Sequence, residues 1–147
     1  MRKTIVALVG VALMAGTAVV AQQTDPIRQR QALMKNNQEQ LRTLTGIARG
    51  QAAFDAAVVR TALQRLEQNG AQTPPLFPPN SQTGETNALP VIWQQKTDFD
   101  ARAMKLSQDA RAAQSRVTNP ATLQAELQVI GQNCGGCHQV YRKPQPQ

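Results

Sequence analysis

The residues Cys134-Gly-Gly-Cys-His-Gln-Val-Tyr-Arg-Lys143, close to the C-terminal end, carry the most informative pattern in the sequence. Cys134, Cys137 and His138 form C-x-x-C-H, the spacing at which a c-type haem is attached. Each thiol can form a thioether with a haem vinyl group, and the adjacent imidazole can bind the iron. On a helix the three side chains lie at i, i+3 and i+4 and face the same way. The pattern therefore predicts one haem c, held covalently on a helix.

Other uses of the motif compete with haem attachment. A structural zinc site usually takes four Cys or His ligands, whereas this chain has two cysteines and one histidine in all. A thioredoxin-like C-x-x-C would open a helix in a βαβ unit, and no strand-like run flanks this one. A disulfide between Cys134 and Cys137 would leave His138 unexplained. These three readings stay open at this point, as does a haem-free helical protein in which the motif is a coincidence.

The N-terminal segment has the features of a secretory signal peptide. A positive start of Met1-Arg-Lys3 is followed by an uncharged, mostly apolar run and by small residues up to Ala21, which is the pattern of a cleaved signal. We predict a signal peptide at residues 1–21 and one mature domain at residues 22–147, exported to the periplasm. An uncleaved anchor is the alternative, because the apolar run is close to the length that spans a membrane. No later stretch approaches that length, so we expect no membrane insertion after cleavage.

The charge balance is basic. Removing the signal leaves 14 basic against 9 acidic residues, a net charge of +5. Nucleic acid is a poor partner, because the chain is exported and its basic residues are scattered along the sequence. A solvated surface accounts for most of the excess, and a docking face for an acidic redox partner stays open.

Helical periodicity accounts for most of the mature chain. We predict helices from Pro26 to about Arg49, from about Gln51 to Gln68, from Pro90 through Val117, and from Asn119-Pro120 through Tyr141. In the second helix the predicted inner positions are Phe54, Val58, Ala62 and Leu66, and Asn69-Gly70 is a stop signal. The proline-rich segment 71–89 is predicted to be a long loop, with Leu76 and Phe77 folded back onto the helices.

Four amphipathic helices with one longer crossover predict an all-α protein, an antiparallel four-helix bundle. Both cysteines fall on the apolar stripe of the last helix, so a haem bound there would enter the bundle. The sequence has only five aromatic residues, so its own core is sparse. A buried porphyrin would supply the missing apolar volume.

Across the mature chain the sequence resembles the cytochrome c′ family, the class II c-type cytochromes. The resemblance rests on the C-terminal motif, on Gln31-Ala-Leu-Met-Lys-Asn36 in the first helix, on Gly50 through Asp55, on Leu76-Phe-Pro78 and on Ile92-Trp93. It implies a four-helix bundle with C-x-x-C-H on the last helix. It also implies that the protein is no enzyme and binds one haem c.

The resemblance implies roles for further residues. High-spin members keep a five-coordinate iron beneath an apolar side chain of the first helix, and low-spin members bind the iron with a methionine there. Aligning Arg30 with an arginine that is common in that helix of the family puts Met34 at the ligand position. Met104 is the alternative methionine, and we expect it to be a packing residue. Arg30 would bind a haem propionate or lie on the surface. Arg142 would pair with a propionate, tune His138, or be a solvated cation.

These roles predict a periplasmic electron carrier with low-spin His138–iron–Met34 ligation and redox proteins as partners. The alternative is a high-spin cytochrome c′ that binds nitric oxide or carbon monoxide. Because dimerisation through the first two helices is common among the high-spin relatives, a homodimer stays open.

Overall fold

The computed structural model describes residues 25–144, so the predicted signal peptide at residues 1–21 lies outside the described part. Within residues 25–144 the chain is all-helical and contains no strand beyond one isolated bridge. The helices are α1 (Pro26–Ala48), α2 (Ala56–Gln72), the short α3 (Val91–Gln94), α4 (Lys96–Arg116) and α5 (Pro120–Tyr141). Two 3₁₀ turns, Pro74–Leu76 and Pro79–Ser81, lie in the loop between α2 and α3.

The four long helices form a closed ring of neighbours. α1 packs against α2 and α5, and α4 packs against the same two helices. Successive long helices are antiparallel, including α2 and α4, which are joined by the longer crossover: Glu67 of α2 contacts Gln114, whereas Gly70 lies beside Ala103 and Ser107. The predicted antiparallel four-helix bundle is confirmed.

Helix ends follow the predicted capping residues in α1 and α5. The carboxylate of Asp25 accepts from the backbone N–H of Ile27 at 2.9 Å, and Pro26 occupies the first turn of α1. α1 ends before Gly50, whose φ of 72° is a left-handed conformation that glycine adopts without strain. Asn119 and Thr122 form a reciprocal capping box at the start of α5, next to Pro120.

The predicted bounds of α2 were wrong, and so was one predicted inner position, whereas the predicted burial of Ala62 and Leu66 is confirmed. α2 begins at Ala56, because the Asp55 carboxylate caps the chain by accepting from the backbone N–H of Ala57 at 2.8 Å. The helix continues through Asn69-Gly70 to Gln72. Val58, predicted to face inward, is 43% exposed, and the buried positions are Val59, Ala62, Leu63, Leu66 and Gly70.

Gly70 lies inside α2 because α4 passes very close to it. A Cβ atom at this position would lie 2.7 Å from the backbone nitrogen of Ser107 and 3.0 Å from the carbonyl oxygen of Ala103. Only a glycine lets the two backbones approach this closely. The close contact therefore overrides the stop signal expected from the sequence.

The third predicted helix is interrupted at Gln95, whose ψ of 40° is not helical. On one side of the break the Trp93 indole donates to the carbonyl oxygens of Phe77 (3.1 Å) and Pro78 (3.0 Å). At the break itself Oε1 of Gln95 lies 3.3 Å from the Tyr141 hydroxyl, whose hydrogen is directed mainly to Asp98 at 2.5 Å. These contacts with distant parts of the chain stabilise the non-helical backbone at Gln95. The periodicity of the sequence in α4 does not reveal them.

The apolar core is divided into two clusters. The main cluster joins the C-terminal half of α1 to α2, α4 and the N-terminal half of α5. The aromatic cluster, at the other end of the bundle, consists of Phe77, Ile92, Phe99 and Tyr141. Phe77 is 6% exposed, so the predicted return of the loop onto the helices is confirmed. None of the helices in residues 25–144 combines the length and the apolar character needed to cross a membrane.

Candidate functional site

The C-x-x-C-H motif lies in the last two turns of α5, where the two core clusters meet. Cys134, Cys137 and His138 are all half-buried. Cys134 packs against the main cluster, whereas Cys137 packs against the aromatic cluster. The two cysteine side chains therefore face the bundle interior, and His138 follows them as a half-buried residue.

The first helix crosses the same boundary between its N-terminal and C-terminal halves. The guanidinium of Arg30 lies over the rings of Phe77 and Trp93 at the aromatic end, and Leu41, Leu44 and Ile47 belong to the main cluster. Met34 lies between them, about 6 Å along the axis from Arg30 at 1.5 Å per residue. Since α1 and α5 are antiparallel neighbours, this puts Met34 near the level of the motif.

Met34 lies beside the groove between α1 and α2. It is half-buried and belongs to neither core cluster. The preceding residue, Leu33, is buried and lines this groove with Asn69 and Leu76. Successive helical residues point about 100° apart, so Met34 takes a different direction from Leu33.

The thioether of Met34 has a polar neighbour. The Nδ2 atom of Asn37, one turn later in α1, lies 3.9 Å from the sulfur and donates to it. Asn37 is itself buried, and its Oδ1 accepts from Nδ2 of Asn69 in α2 at 2.8 Å. The sequence had indicated Met34 but not these two asparagines, because their contact depends on how α1 and α2 pack.

Burial sets the protonation of the motif. Desolvation raises the pKa of the Cys134 thiol and that of the Cys137 thiol above their usual value. Burial, and secondarily the positive charge of Arg142, lowers the pKa of His138. The cysteines are therefore held as thiols and the imidazole as the neutral form, which is the form that binds a metal.

A polar cluster on α4 supports the motif from the outside. Arg102 donates to the Asp98 carboxylate at 2.7 Å and, through Nη1, to the carbonyl oxygen of Gly136 at 3.2 Å. The Tyr141 hydroxyl donates to Asp98 at 2.5 Å. Sequence reasoning missed this cluster: the i,i+4 spacing of Asp98 and Arg102 predicts an ion pair, but nothing in it indicates the contact with Gly136.

Arg30 is not on the surface, and that part of the prediction was wrong. Its side chain is 4% exposed and donates to the carbonyl oxygens of Leu76 and Ser81 and to the hydroxyls of Ser81 and Thr86. Burial lowers the pKa of its guanidinium. The loop between α2 and α3 folds back over α1 and surrounds this side chain. The assignment of Arg30 to a haem propionate stays a prediction.

The other two candidate residues lie outside the interior. Arg142 is exposed and ends α5, with its backbone N–H donating to the carbonyl oxygen of His138 at 3.2 Å. Its side-chain role toward a propionate stays a prediction. Met104 is 40% exposed on α4, so the expectation that it would be a packing residue was wrong. It does not compete with Met34 for an interior position.

The residues fit a covalently attached haem. Two thiols and one imidazole face a boundary between two apolar clusters, with a thioether at about the same level on the facing helix. A zinc site fits poorly, because a structural zinc site usually takes four Cys or His ligands and the sequence has two cysteines and one histidine.

Comparisons with known proteins agree with this geometry. The family described as "Cytochrome C'" matches residues 25–142. Cytochrome c′ of Rhodopseudomonas palustris (strain ATCC BAA-98 / CGA009) is 38% identical over 128 residues, covering 86% of this chain and 88% of that protein. Cytochrome c-556 of Agrobacterium tumefaciens (strain II Chrys) is 36% identical over 117 residues, covering 79% of this chain and 95% of that protein.

The fold has a close counterpart among solved structures. The structure of cytochrome c′ from Rhodopseudomonas palustris superposes with a TM-score of 0.80 at 38% identity, covering 84% of this chain and 100% of that one. The similar proteins carry the names cytochrome c′, cytochrome c-556 and cytochrome c-554.

Proposed function

This chain belongs to the cytochrome c′ family, and we propose that it is an exported electron carrier whose single haem c is bound by His138 and Met34. When bound, haem c supplies an iron that cycles between the ferrous and ferric states. Cys134 and Cys137 would hold the group through two thioethers, and His138 would occupy one axial position. Met34 would occupy the other, which leaves no open position for a substrate. The protein would accordingly turn over no substrate of its own.

The observation that carries this proposal is the place of Met34. It is a half-buried methionine outside both core clusters, near the level of the motif, with the amide of the buried Asn37 beside its sulfur. A methionine that only filled the core would be expected to pack within one of the clusters. Compared with a second imidazole, a methionine ligand raises the reduction potential. Burial acts in the same direction, because a low dielectric disfavours the additional charge of ferric iron.

We place the carrier in the periplasm for two reasons. Residues 1–21 have the composition of a secretory signal, and bacteria attach c-type haem outside the cytoplasmic membrane. Both reasons come from the sequence and from the chemistry of haem attachment.

We further propose that the partner presents an acidic face to α1. Four cations recur every seven residues on the outer side of this helix: Arg28, Lys35, Arg42 and Arg49, hereafter the basic stripe. Arg28 pairs with Asp25 at 3.4 Å, and within residues 25–144 the other three have no acidic side chain within 4.0 Å.

The cations of α4 are arranged differently. Four of its five, Lys96, Arg102, Lys105 and Arg116, lie within 4.0 Å of a carboxylate, and Arg111 is the exception. The basic stripe is therefore less neutralised than α4, and Lys35 directly follows the proposed ligand Met34 in the chain. An acidic redox protein would be attracted there. A homodimer in which two copies met along the stripe would bring like charges together, so we favour the acidic partner.

A spin-state comparison tests the ligand assignment. Optical and electron paramagnetic resonance spectra of the haem-loaded protein should be low-spin for the wild type and high-spin for Met34→Ala, because the substitution removes the sulfur ligand. Met104→Ala is the matched control: the same change at an exposed methionine should leave the spectra unchanged. A high-spin wild type would refute the His138–iron–Met34 assignment and would favour a five-coordinate protein that binds nitric oxide or carbon monoxide.

A further inference from the structure

We infer that Asn37 is a positioning residue for Met34: its side-chain amide donates an N–H···S hydrogen bond that orients the thioether and withdraws electron density from it. This inference rests on the proposed function, because it concerns the sulfur that would bind the iron. It adds to that function a residue on α1 and a second on α2 that would set the ligand's strength.

The contact is local in the helix and shielded from water. Asn37 follows Met34 by three residues, so both side chains lie on the same side of α1. Asn37 is 7% exposed, and its Nδ2 lies 3.9 Å from the sulfur. A thioether is a weak acceptor, but water competes little for it at this depth. An asparagine buried among apolar residues also needs partners for its amide.

The orientation of the Asn37 amide is set by α2. Asn69 donates both hydrogens of its amide nitrogen, one to Oδ1 of Asn37 at 2.8 Å and one to Oδ1 of Asn36 at 2.8 Å. Because the oxygen of Asn37 is occupied as an acceptor, its NH₂ group is at the opposite end, toward Met34. Rotating the amide by half a turn would place two NH₂ groups against each other and an oxygen lone pair against the sulfur.

Asn69 is in turn held by the packing of α2. The adjacent Gly70 lies against the backbone of α4 at Ser107 and Ala103, and the Thr73 hydroxyl donates to the carbonyl oxygen of Asn69 at 2.8 Å. The orientation of the sulfur thus depends on a series of contacts from α4 through Gly70, Asn69 and Asn37 to Met34.

The chemistry follows from the two lone pairs of the sulfur. One can be given to a metal while the other accepts the N–H of Asn37. The hydrogen bond makes the sulfur a poorer donor, which disfavours the ferric state more than the ferrous state and raises the reduction potential. It also restrains rotation about the thioether, so Met34 should leave the iron less readily.

Three variants of the haem-loaded protein test this role. Asn37→Leu keeps the approximate shape and removes the donor. Asn69→Asp replaces the donor to Asn37 with an acceptor, so the Asn37 amide should turn and present its oxygen to the sulfur. Asn36→Ala is the matched control, because Asn36 shares the contact with Asn69 but has no contact with Met34.

We expect a lower reduction potential and an altered sulfur-to-iron charge-transfer band in Asn37→Leu and Asn69→Asp, with wild-type values in Asn36→Ala. The affinity of the ferrous protein for carbon monoxide should rise about twofold in the first two variants, the factor at the weak end of the range for one net hydrogen bond, because a thioether is a weak acceptor. The rise is expected because carbon monoxide must displace Met34 from the iron.

Each other outcome counts against the inference. Folded variants with the potential and carbon monoxide affinity of the wild type would overturn it. A fall in carbon monoxide affinity would overturn it too, since Asn37 would then serve the bound gas and not the sulfur. If Asn37→Leu does not fold, the potential and carbon monoxide affinity of Asn69→Asp test the inference. A high-spin wild type would refute ligation by Met34 itself. A low-spin wild type whose variants keep the wild-type potential and carbon monoxide affinity would refute only the role of Asn37.

Discussion

Single residues show which parts of the site the sequence could reveal. Cys134, Cys137 and His138 were predictable because their spacing is itself the chemical signal. Met34 was indicated only through the family resemblance, since a methionine on an apolar stripe has no signal of its own. The burial of Arg30 could not be predicted. Its acceptors lie 46 to 56 residues away in the loop, and a charged residue in a helix gives no indication of such contacts.

Tyr141 offers a titration test at this scale. Burial, together with the hydrogen bond to Asp98, raises its pKa to about 12 in the folded protein, against about 10 in an unfolded chain. Because the folded-state pKa is the higher one, the stabilisation is complete below about pH 10 and is lost as the pH rises toward 12. Tyr141 is the only tyrosine in the sequence, so the absorbance of tyrosinate reports on this residue alone.

We expect the tyrosinate midpoint near 12 in the native protein and near 10 in denaturant. The free energy of unfolding, measured by denaturant titration, should fall between these two pH values. In Tyr141→Phe that part of the pH dependence should disappear. A native midpoint near 10 would show that the phenol is accessible and that its bond to Asp98 is weak.

The helices show where local sequence signals are sufficient. α1 and α5 begin and end almost where capping residues predicted, because Asp25, Gly50, Asn119 and Pro120 act through their own backbone surroundings. α2 was misjudged at both ends. A contact with α4 keeps Gly70 helical, and sequence periodicity carries no information about which helix will approach so closely.

Gly70→Ala should destabilise the protein by about 1–3 kcal/mol, the usual cost of forcing extra atoms into a packed interface. The new Cβ would lie 2.7 Å from the backbone nitrogen of Ser107, and backbone atoms cannot rotate away as a side chain can. Urea unfolding of the haem-loaded protein measures the change.

Gly131→Ala is the control for this substitution. Gly131 lies within α5 and is exposed, with nothing within 4 Å of a Cβ placed there. This change should stabilise by about 0.5–1 kcal/mol through helix propensity alone. Equal effects of the two substitutions would contradict the close contact between α2 and α4.

At the scale of the whole molecule, the scattered basic residues of the sequence become an uneven surface. The fold places acidic partners beside four of the five cations of α4 and leaves most of the basic stripe on α1 without them. The sequence predicted the excess charge but not this asymmetry, which depends on which side of each helix faces water.

Reversing two charges of the basic stripe, with Lys35→Glu and Arg42→Glu in one variant, should weaken the binding of the protein to an anionic surface. The measurement is the salt concentration at which the protein elutes from immobilised polyglutamate. Arg60→Glu with Arg65→Glu, at two exposed positions of α2, changes the net charge by the same amount and is the control. The stripe variant should elute at clearly lower salt. Equal elution would mean that only net charge matters and that the stripe is no docking face.

The arrangement around Arg30 has a consequence for the segment that covers it. Residues 76, 81 and 86 are tied to one guanidinium, so three separate points of the crossover share one donor. Withdrawing that side chain would break four hydrogen bonds together and uncover the rings of Phe77 and Trp93, while the indole of Trp93 would still hold the carbonyl oxygens of Phe77 and Pro78. Opening of residues 81–86 should therefore be cooperative, whereas residues 77 and 78 have their own attachment.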